Sequence, residues 1–280
     1  MGIRIVTDSS SDLNVELEKK YNIIVVPLTV NFEDANYKDR DEIKSKEFFE
    51  KLSTANKIPY TSQVNPNTFV DVFNTILDNG DEVLGIFLSS ELSGTNNSAE
   101  VAKNMIKSEK INIIDSRVVS LSLGLLVVKA AEMVEQGKSM NEIVKVLSES
   151  KKNMKSIIIV DTLDYLRKGG RLTASKAFIG GILNLKPILT FEDGKLIPKD
   201  SVRGRKKALR WVKNWITEND FDLSKKTIYI LHASDDHYLQ ELKKILVKEY
   251  NASNIIESEV GAIVGTHCGP GAIGVCFIDD

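Results

Sequence analysis

Reactive and extracellular chemistry have little to work with in this sequence. Two cysteines, Cys268 and Cys276, cannot make a disulfide framework in 280 residues, and both read as reduced thiols of a cytoplasmic protein. The three histidines and two cysteines lack metal-ligand spacing, so no metal set is visible. Asp8 and Asp12 read as caps of turns and helices rather than as magnesium ligands. A formal net charge of -2 excludes bulk attraction to nucleic acid. No apolar run approaches the ~20 residues of a membrane-crossing helix. Met1-Gly2-Ile3-Arg4-Ile5-Val6 enters a strand without a secretory pattern. Internal repeats and low-complexity segments are absent.

Two motifs match by letters and lack their context. Gly269-Pro270-Gly271-Ala272-Ile273-Gly274 spells the dinucleotide-binding pattern, but that pattern needs a strand before it and a helix after it, and here a strand follows. Ser93 stands where a hydrolase nucleophile could, yet Glu91 and Thr95 occupy the positions of the two elbow glycines.

What is present is an ordinary globular composition, 42% hydrophobic and 27% charged, in a chain long enough for two domains. Apolar strands at Ile3 to Thr7, Ile23 to Val30, Val83 to Leu88 and Ile111 to Ile114 alternate with helical patterns. The helices are expected from the Asp8–Asp12 turn to about Lys20, then over 44–52, 67–77, 95–107, 120–136 and 140–152. This alternation predicts a parallel α/β domain over 1–155. After Lys155 the pattern becomes mixed. It shows a strand at 157–160, a short helix before Gly169-Gly170-Arg171, and a glycine-bearing apolar helix at 177–185. A hairpin around Glu192-Asp193-Gly194 follows, then an amphipathic helix at 204–218, a strand at 227–231, a helix at 239–250 and two closing strands. A mixed α/β domain over 156–280 is expected.

The stretch Ile86 to Ala99 organises the rest. An apolar strand gives way to Ser89-Ser90-Glu91-Leu92-Ser93-Gly94-Thr95, where a helix begins. A hydroxyl cap, free N–H groups and the helix dipole make a seat for an anion. Ligands in parallel sheets sit at the carboxyl ends of strands, where Asp8, Ser89-Ser90 and Asp115-Ser116 also fall. His267 stands in a glycine-rich loop, Gly265 to Gly271, and can donate to a carboxylate or a phosphate. A plain helix cap and an exposed loop histidine are the bland readings of Ser93 and His267. Lys199, Arg203, Arg205, Lys206, Lys207, Arg210 and Lys213 form a basic stretch that reads either as a solvated face or as a docking patch.

Several stretches together resemble the DegV family. They are Ile5-Val6-Thr7-Asp8-Ser9-Ser10-Ser11-Asp12-Leu13, Thr61-Ser62-Gln63, Leu88 to Thr95 with Ser98-Ala99, and Gly169-Gly170-Arg171. Lys186-Pro187-Ile188-Leu189, Val202-Arg203-Gly204-Arg205 and His267 through Gly271 complete the set, which spans the chain in order. The resemblance implies a two-domain α/β protein holding a long-chain fatty acid of the palmitate or oleate class in a tunnel between the domains. It implies a carboxylate held by Thr61 or Ser62, by Ser93 with the Gly94 turn, and by His267. Arg171 and Arg203 match arginines associated with the mouth and with partner work. Val64 stands where the family has proline, which leaves open which hydroxyl of the loop donates. Some members are the FakB subunit of bacterial fatty acid kinase. The resemblance therefore implies no catalysis of its own, no cofactor beyond the bound acid and a kinase catalytic subunit as partner; the stretch from Arg203 to Lys213 is a candidate for contact with that partner or, transiently, with a membrane, and the net charge speaks against nucleic acid.

Elementary energetics agree with a lipid carrier. About fourteen methylenes at ~0.8 kcal/mol each give on the order of 11 kcal/mol before ordering and association costs. Each hydrogen bond to the charged head adds roughly 1.5–3 kcal/mol. The tail dominates affinity and the head dominates orientation. Phe178, Ile179, Ile182 and Leu183, beside Gly180 and Gly181, are candidates to face the tail. Two rival readings remain from other classes, an esterase or phosphotransferase using Ser93 and His267, and a sensor of another small carboxylate.

Overall fold

The computed structural model describes residues 2–172 and 184–280. The first part of the chain runs β1 (Ile3–Asp8), a 3-10 turn (Ser9–Ser11), α1 (Val15–Tyr21), β2 (Ile24–Val26), β3 (Thr29–Asn31), β4 (Asn36–Lys38), α2 (Ser45–Thr54) and β5 (Tyr60–Ser62). It continues with α3 (Pro66–Asp78), β6 (Glu82–Phe87), α4 (Thr95–Ile106), β7 (Ile111–Asp115), α5 (Leu121–Glu135) and α6 (Met140–Lys152). The second part runs β8 (Met154–Ile159), α7 (Asp164–Lys168), β9 (Leu185–Glu192), β10 (Lys195–Arg203) and α8 (Arg205–Glu218). It ends with β11 (Thr227–His232), α9 (Asp236–Tyr250), β12 (Asn254–Glu259), α10 (Ala262–Cys268) and β13 (Ile273–Ile278).

β2-β1-β6-β7 form a four-stranded sheet that is parallel throughout. β10-β9-β8-β13-β11-β12 form a six-stranded sheet, antiparallel except for the β11–β12 pair. The fold is mixed α/β, with the parallel sheet in the first part and the mixed sheet in the second. α5 packs on β1 and β6 of one sheet and on β11 and β13 of the other. Its core-facing residues, Leu121 to Val128, are all buried, as a helix clamped on more than one side requires.

Four local expectations change. The run Ile23 to Val30 is two strands, because Pro27 cannot donate to a ladder. β2 stays in the parallel sheet, while β3 pairs antiparallel with β4 and β5 in a small third sheet. β4 and β5 fall in stretches that read as loops, and strands of three residues leave almost no periodicity to read. The first helix begins at Val15 with Asn14 as its cap, whereas Asp12 takes a left-handed conformation (φ 48) that ends the 3-10 turn. Between the closing strands lies α10, so His267 is helical and largely buried rather than exposed in a loop. The apolar helix expected over 177–185, with its tail candidates, lies outside the described residues apart from its end, where Leu185 already belongs to β9.

α10 is held from the other part of the chain. Its N-cap Gly261 donates its N–H to Asp12 Oδ1 at 2.9 Å, and Ala262 N–H donates to Asp39 Oδ1 at 3.0 Å. These are orphan donors of a helix N-terminus, satisfied here by two carboxylates. Asp12 Oδ2 accepts from Ser120 Oγ at 2.5 Å, and Ser120 N–H donates to Ser10 O at 2.8 Å. Asp8, at the end of β1, accepts from Leu88 N–H at 2.9 Å and from Ser10. Burial pushes the carboxyls of Asp8 and Asp39 up to about 6 and that of Asp12 up to about 7.

A carboxyl whose folded pKa is raised binds its proton more tightly in the folded state. The stability that these protons contribute is full below the unfolded value, near 3.8, and is lost as pH rises through about 6 to 7. Asp12→Asn keeps an acceptor for Gly261 and a donor toward Ser120, and asparagine tolerates the left-handed position. We expect it to fold and to flatten the pH slope of stability between pH 4 and 7. Asp12→Ala strands the partners and is expected to cost about 1–3 kcal/mol. Urea melts across that pH range check both; an alanine variant as stable as the parent would contradict the tie.

Candidate functional site

The site forms where loops at the carboxyl ends of the parallel sheet meet the six-stranded sheet. The loop after β6 carries Leu88, Leu92 and Ser93, and the loop into α5 carries Val119 and Ser120. Across from them stand Ile158 of β8, Phe191 of β9, Leu196 of β10 and Leu231 of β11. Ile263, Val264 and Cys268 of α10 close one side, with Leu28 and Val260. Together these residues line a narrow void of about 90 Å³. Its walls are overwhelmingly aliphatic and aromatic. Thr61, Ser93, Arg171 and His267 are the polar side chains that gather at one region of it.

Each of these four is placed by a different element. Thr61 and Ser62 alternate on β5, so they face opposite ways. Thr61 faces the void, and its Oγ1 lies 3.0 Å from His267 Nε2. Ser62 Oγ accepts from Asn31 Nδ2 at 3.0 Å on β3, away from the void. Ser93 precedes α4, and its Oγ accepts from Thr95 N–H at 3.2 Å and lies 3.0 Å from Thr95 Oγ1. The Gly94 N-cap has no side chain to offer. A Cβ there would lie 2.0 Å from Gln63 Oε1, so glycine lets the β5–α3 loop close on the start of α4. Gln63 Nε2 also donates to Ser98 Oγ at 3.0 Å. The N–H groups of Asn96 and Asn97 lack intrahelical partners by helix geometry and add to the positive end of α4.

Arg171 follows α7. It donates from Nε to Leu92 O at 3.1 Å and from Nη1 to Gly169 O at 2.6 Å, which ties its guanidinium beside Ser93. Gly169 leaves room for the imidazole, since a Cβ there would lie 2.3 Å from His267 Nδ1. Burial, and then the charge of Arg171, lower the His267 pKa to about 4. The ring is therefore neutral near pH 7 and carries one proton. His267 Nδ1 is buried with no hydrogen-bond partner among the described residues, whereas Nε2 faces Thr61 Oγ1. A proton on Nε2 makes His267 the donor to Thr61 and leaves the Thr61 hydroxyl proton free to point into the void. No hydrogen bond joins Ser93 to His267 among the described residues.

Arg203 is not brought to this group. It closes β10, opposite Leu185 of β9, and its side chain is exposed. The basic stretch also divides. Arg205 pairs with Asp161 and Asp235 and covers the Tyr238 ring at 4.8 Å, and Lys213 pairs with Glu249. Lys206, Lys207 and Arg210 remain exposed. Among the described residues there is no cluster of three or more potential metal ligands, and no helix is long and apolar enough to cross a membrane. Sequence reading missed Asp39 and the void-lining residues Leu28, Phe191 and Val260. None carries a local signal, because an apolar residue reads alike whether it faces a core or a cavity.

Comparison with known proteins gives a consistent match along the whole chain. The family model described as an uncharacterised protein of the DegV family matches residues 2–280. A DegV domain-containing protein of Caldanaerobacter subterraneus subsp. tengcongensis is 43% identical over 98% of this chain and 98% of its own. The solved structure of a DegV family protein from Thermus thermophilus, described for its fatty acid binding, superposes with a TM-score of 0.93 at 32% identity and covers 100% of both chains. A stearic acid-binding protein from Eubacterium ventriosum superposes with a TM-score of 0.88 at 26% identity, over 100% of this chain and 98% of that one.

The electrostatics of the site give a direct check. NMR of the imidazole nitrogens is expected to show His267 neutral and protonated at Nε2 near pH 7, titrating at about 4. Arg171→Ala removes a neighbouring positive charge and is expected to raise that midpoint. An unshifted midpoint near the ordinary 6.5 in the parent protein would refute the buried, neutral assignment.

Proposed function

The chain belongs to the DegV family, and from that premise we propose that it binds a long-chain fatty acid of the palmitate or oleate class and presents the carboxylate to a partner kinase. The observation that carries this reading is one void, apolar along its walls, with two hydroxyls, an arginine and a helix N-terminus at one region. An acyl chain matches both properties. Burial of its methylenes supplies most of the affinity at ~0.8 kcal/mol each. The carboxylate accepts from Ser93 Oγ and from the Thr61 hydroxyl, which His267 orients from behind. Arg171 and the first turn of α4 balance its charge.

The chain contributes binding and orientation rather than catalysis. Ser93 is engaged with Thr95, and His267 with Thr61, which supports this reading over an acyl-transfer pair. Access to the head is through a polar cleft that shares Arg171 and His267 with the void and is lined beyond them by Lys57, Tyr60, Tyr165 and Lys168. There a kinase catalytic subunit in the cytoplasm transfers the terminal phosphoryl group of a nucleoside triphosphate to a carboxylate oxygen, forming an acyl phosphate and releasing the nucleoside diphosphate. Lys206, Lys207 and Arg210 are free to contact that subunit or, transiently, a membrane surface. Arg205 is not, being held by Asp161 and Asp235.

Native mass spectrometry of the purified protein, followed by organic extraction, tests the reading. We expect close to one long-chain acid per chain. Thr61→Val and Ser93→Ala each remove a hydrogen bond to a charged group, worth about 1.5–3 kcal/mol, and are expected to weaken retention roughly ten- to hundred-fold. His267→Ala acts through Thr61 and is expected to weaken it less. Charge reversal at Lys206 and Lys207 is expected to spare retention and to reduce phosphorylation by the kinase. Protein that stays free of lipid after incubation with palmitate and oleate would overturn the carrier reading. Hydrolysis of acyl esters that Ser93→Ala abolishes would replace it with an enzyme.

A further inference from the structure

The void is not the only cavity at the seam between the sheets. A second one, of about 400 Å³, lies beside it and is lined by Ser116, Arg117, Ser148, Lys151, Lys152 and Thr190 among others. Its character is mixed: Val118 and Met154 stand beside hydroxyls and the cations Arg117, Lys151 and Lys152, where the first is almost wholly apolar. Among the described residues, the one side chain that lines both is Phe191. The neighbouring valines divide between the two, Val119 facing the apolar void and Val118 the second cavity.

Phe191 hangs from a pinned strap. β9 and β10 form a hairpin in which Phe191 pairs with Leu196, and Leu196 also lines the void. The hairpin reaches across to the other sheet at its tip. Ser89 Oγ donates to Gly194 O at 2.7 Å, Arg117 donates to Asp193 O, and Lys195 stands 3.6 Å from Glu91. Gly194 has a φ of +82, and a Cβ there would lie 2.7 Å from Ser89 Oγ and 2.8 Å from Arg117 Cζ, so the tip can sit this close only as glycine. Thr190 Oγ1 donates to Ser156 O at 2.8 Å and holds the strand just before the ring. The ring position is therefore fixed from both sides.

We propose that Phe191 is a specificity-determining wall that limits the length of the acyl chain the void accepts. This rests on the carrier reading given above. Methylenes gain by burial only as far as the apolar surface extends. Phe191 stands between that surface and the second cavity, where a terminal methyl would meet Arg117 and Lys151 beside Val118 and Met154. The aromatic ring therefore acts twice, as a steric stop and as the seal that keeps the second cavity from wetting the tail.

The test uses the full chain, delipidated and then offered an equimolar series of saturated acids from dodecanoate to tetracosanoate, with the bound species read by native mass spectrometry. Phe191→Ala is expected to move the bound population to longer acids, with about fourfold relative enrichment for each added methylene that gains burial. Phe191→Trp, which fills more space, is expected to move it to shorter acids and keeps the test sharp if the alanine variant folds poorly. An unchanged length distribution in both folded variants, with the parent protein still loaded, would overturn the wall. A parent protein that takes up no acid at all would overturn the carrier reading, and the wall with it.

Discussion

Two carboxylates placed early in the chain hold the helix that carries the late histidine. Asp12 and Asp39 accept the first N–H groups of α10, and the same Asp12 accepts from Ser120 at the entrance of α5. A helix end buried at the junction of two sheets would otherwise leave backbone donors unsatisfied at a cost comparable to a lost hydrogen bond each. With the caps in place, α10 can lie on β3 and β5 of the small sheet and against α2 and α7. That docking puts His267 against Thr61 although 206 positions separate them. The raised pKa values of the capping acids are the electrostatic cost of holding carboxylates in a dry seam.

The rest of the site follows from what this seam leaves empty. Strands of the six-stranded sheet and α10 line one side of the void, and the loops that follow β2, β6 and β7, rather than those strands, line the other. Small polar features cluster where loops leave the carboxyl ends of parallel strands, as topology dictates for such sheets. Ser120 shows how tightly the seam is specified. It adopts φ 63 and ψ -137, a sparsely populated region for a residue with a side chain. Its N–H and hydroxyl are both engaged with the 3-10 turn region, which holds it there.

Polarity along the void divides the work. Near Thr61, Ser93, Arg171 and His267 the groups are directional, and their hydrogen bonds are arranged before any ligand arrives. His267 is neutral near pH 7, and an uncharged imidazole packs beside the Arg171 charge and against the Thr61 hydroxyl. Along the remaining walls the contacts are non-directional. Phe191 belongs to this second group and takes its significance from what stands behind it.

Much of this was legible in the residues. The alternation of strands and helices specified the parallel sheet, and the Glu192-Asp193-Gly194 turn specified the hairpin. The small polar run from Ser89 to Thr95 marked a helix start after a strand. These are short-range properties, set by backbone sterics, side-chain periodicity and capping, so neighbouring residues suffice to encode them. Long-range closure decided the rest. Whether Thr61 or Ser62 faces the void depended on a three-residue strand whose direction is set by its partner β3. Whether His267 is a loop residue or a buried helical one depended on carboxylates more than 200 positions earlier. Which apolar side chains line a cavity, and which fill a core, depended on where the loops at the end of one sheet stop short of the other. No local pattern encodes that gap, because hydrophobic burial is the same driving force on either side of it.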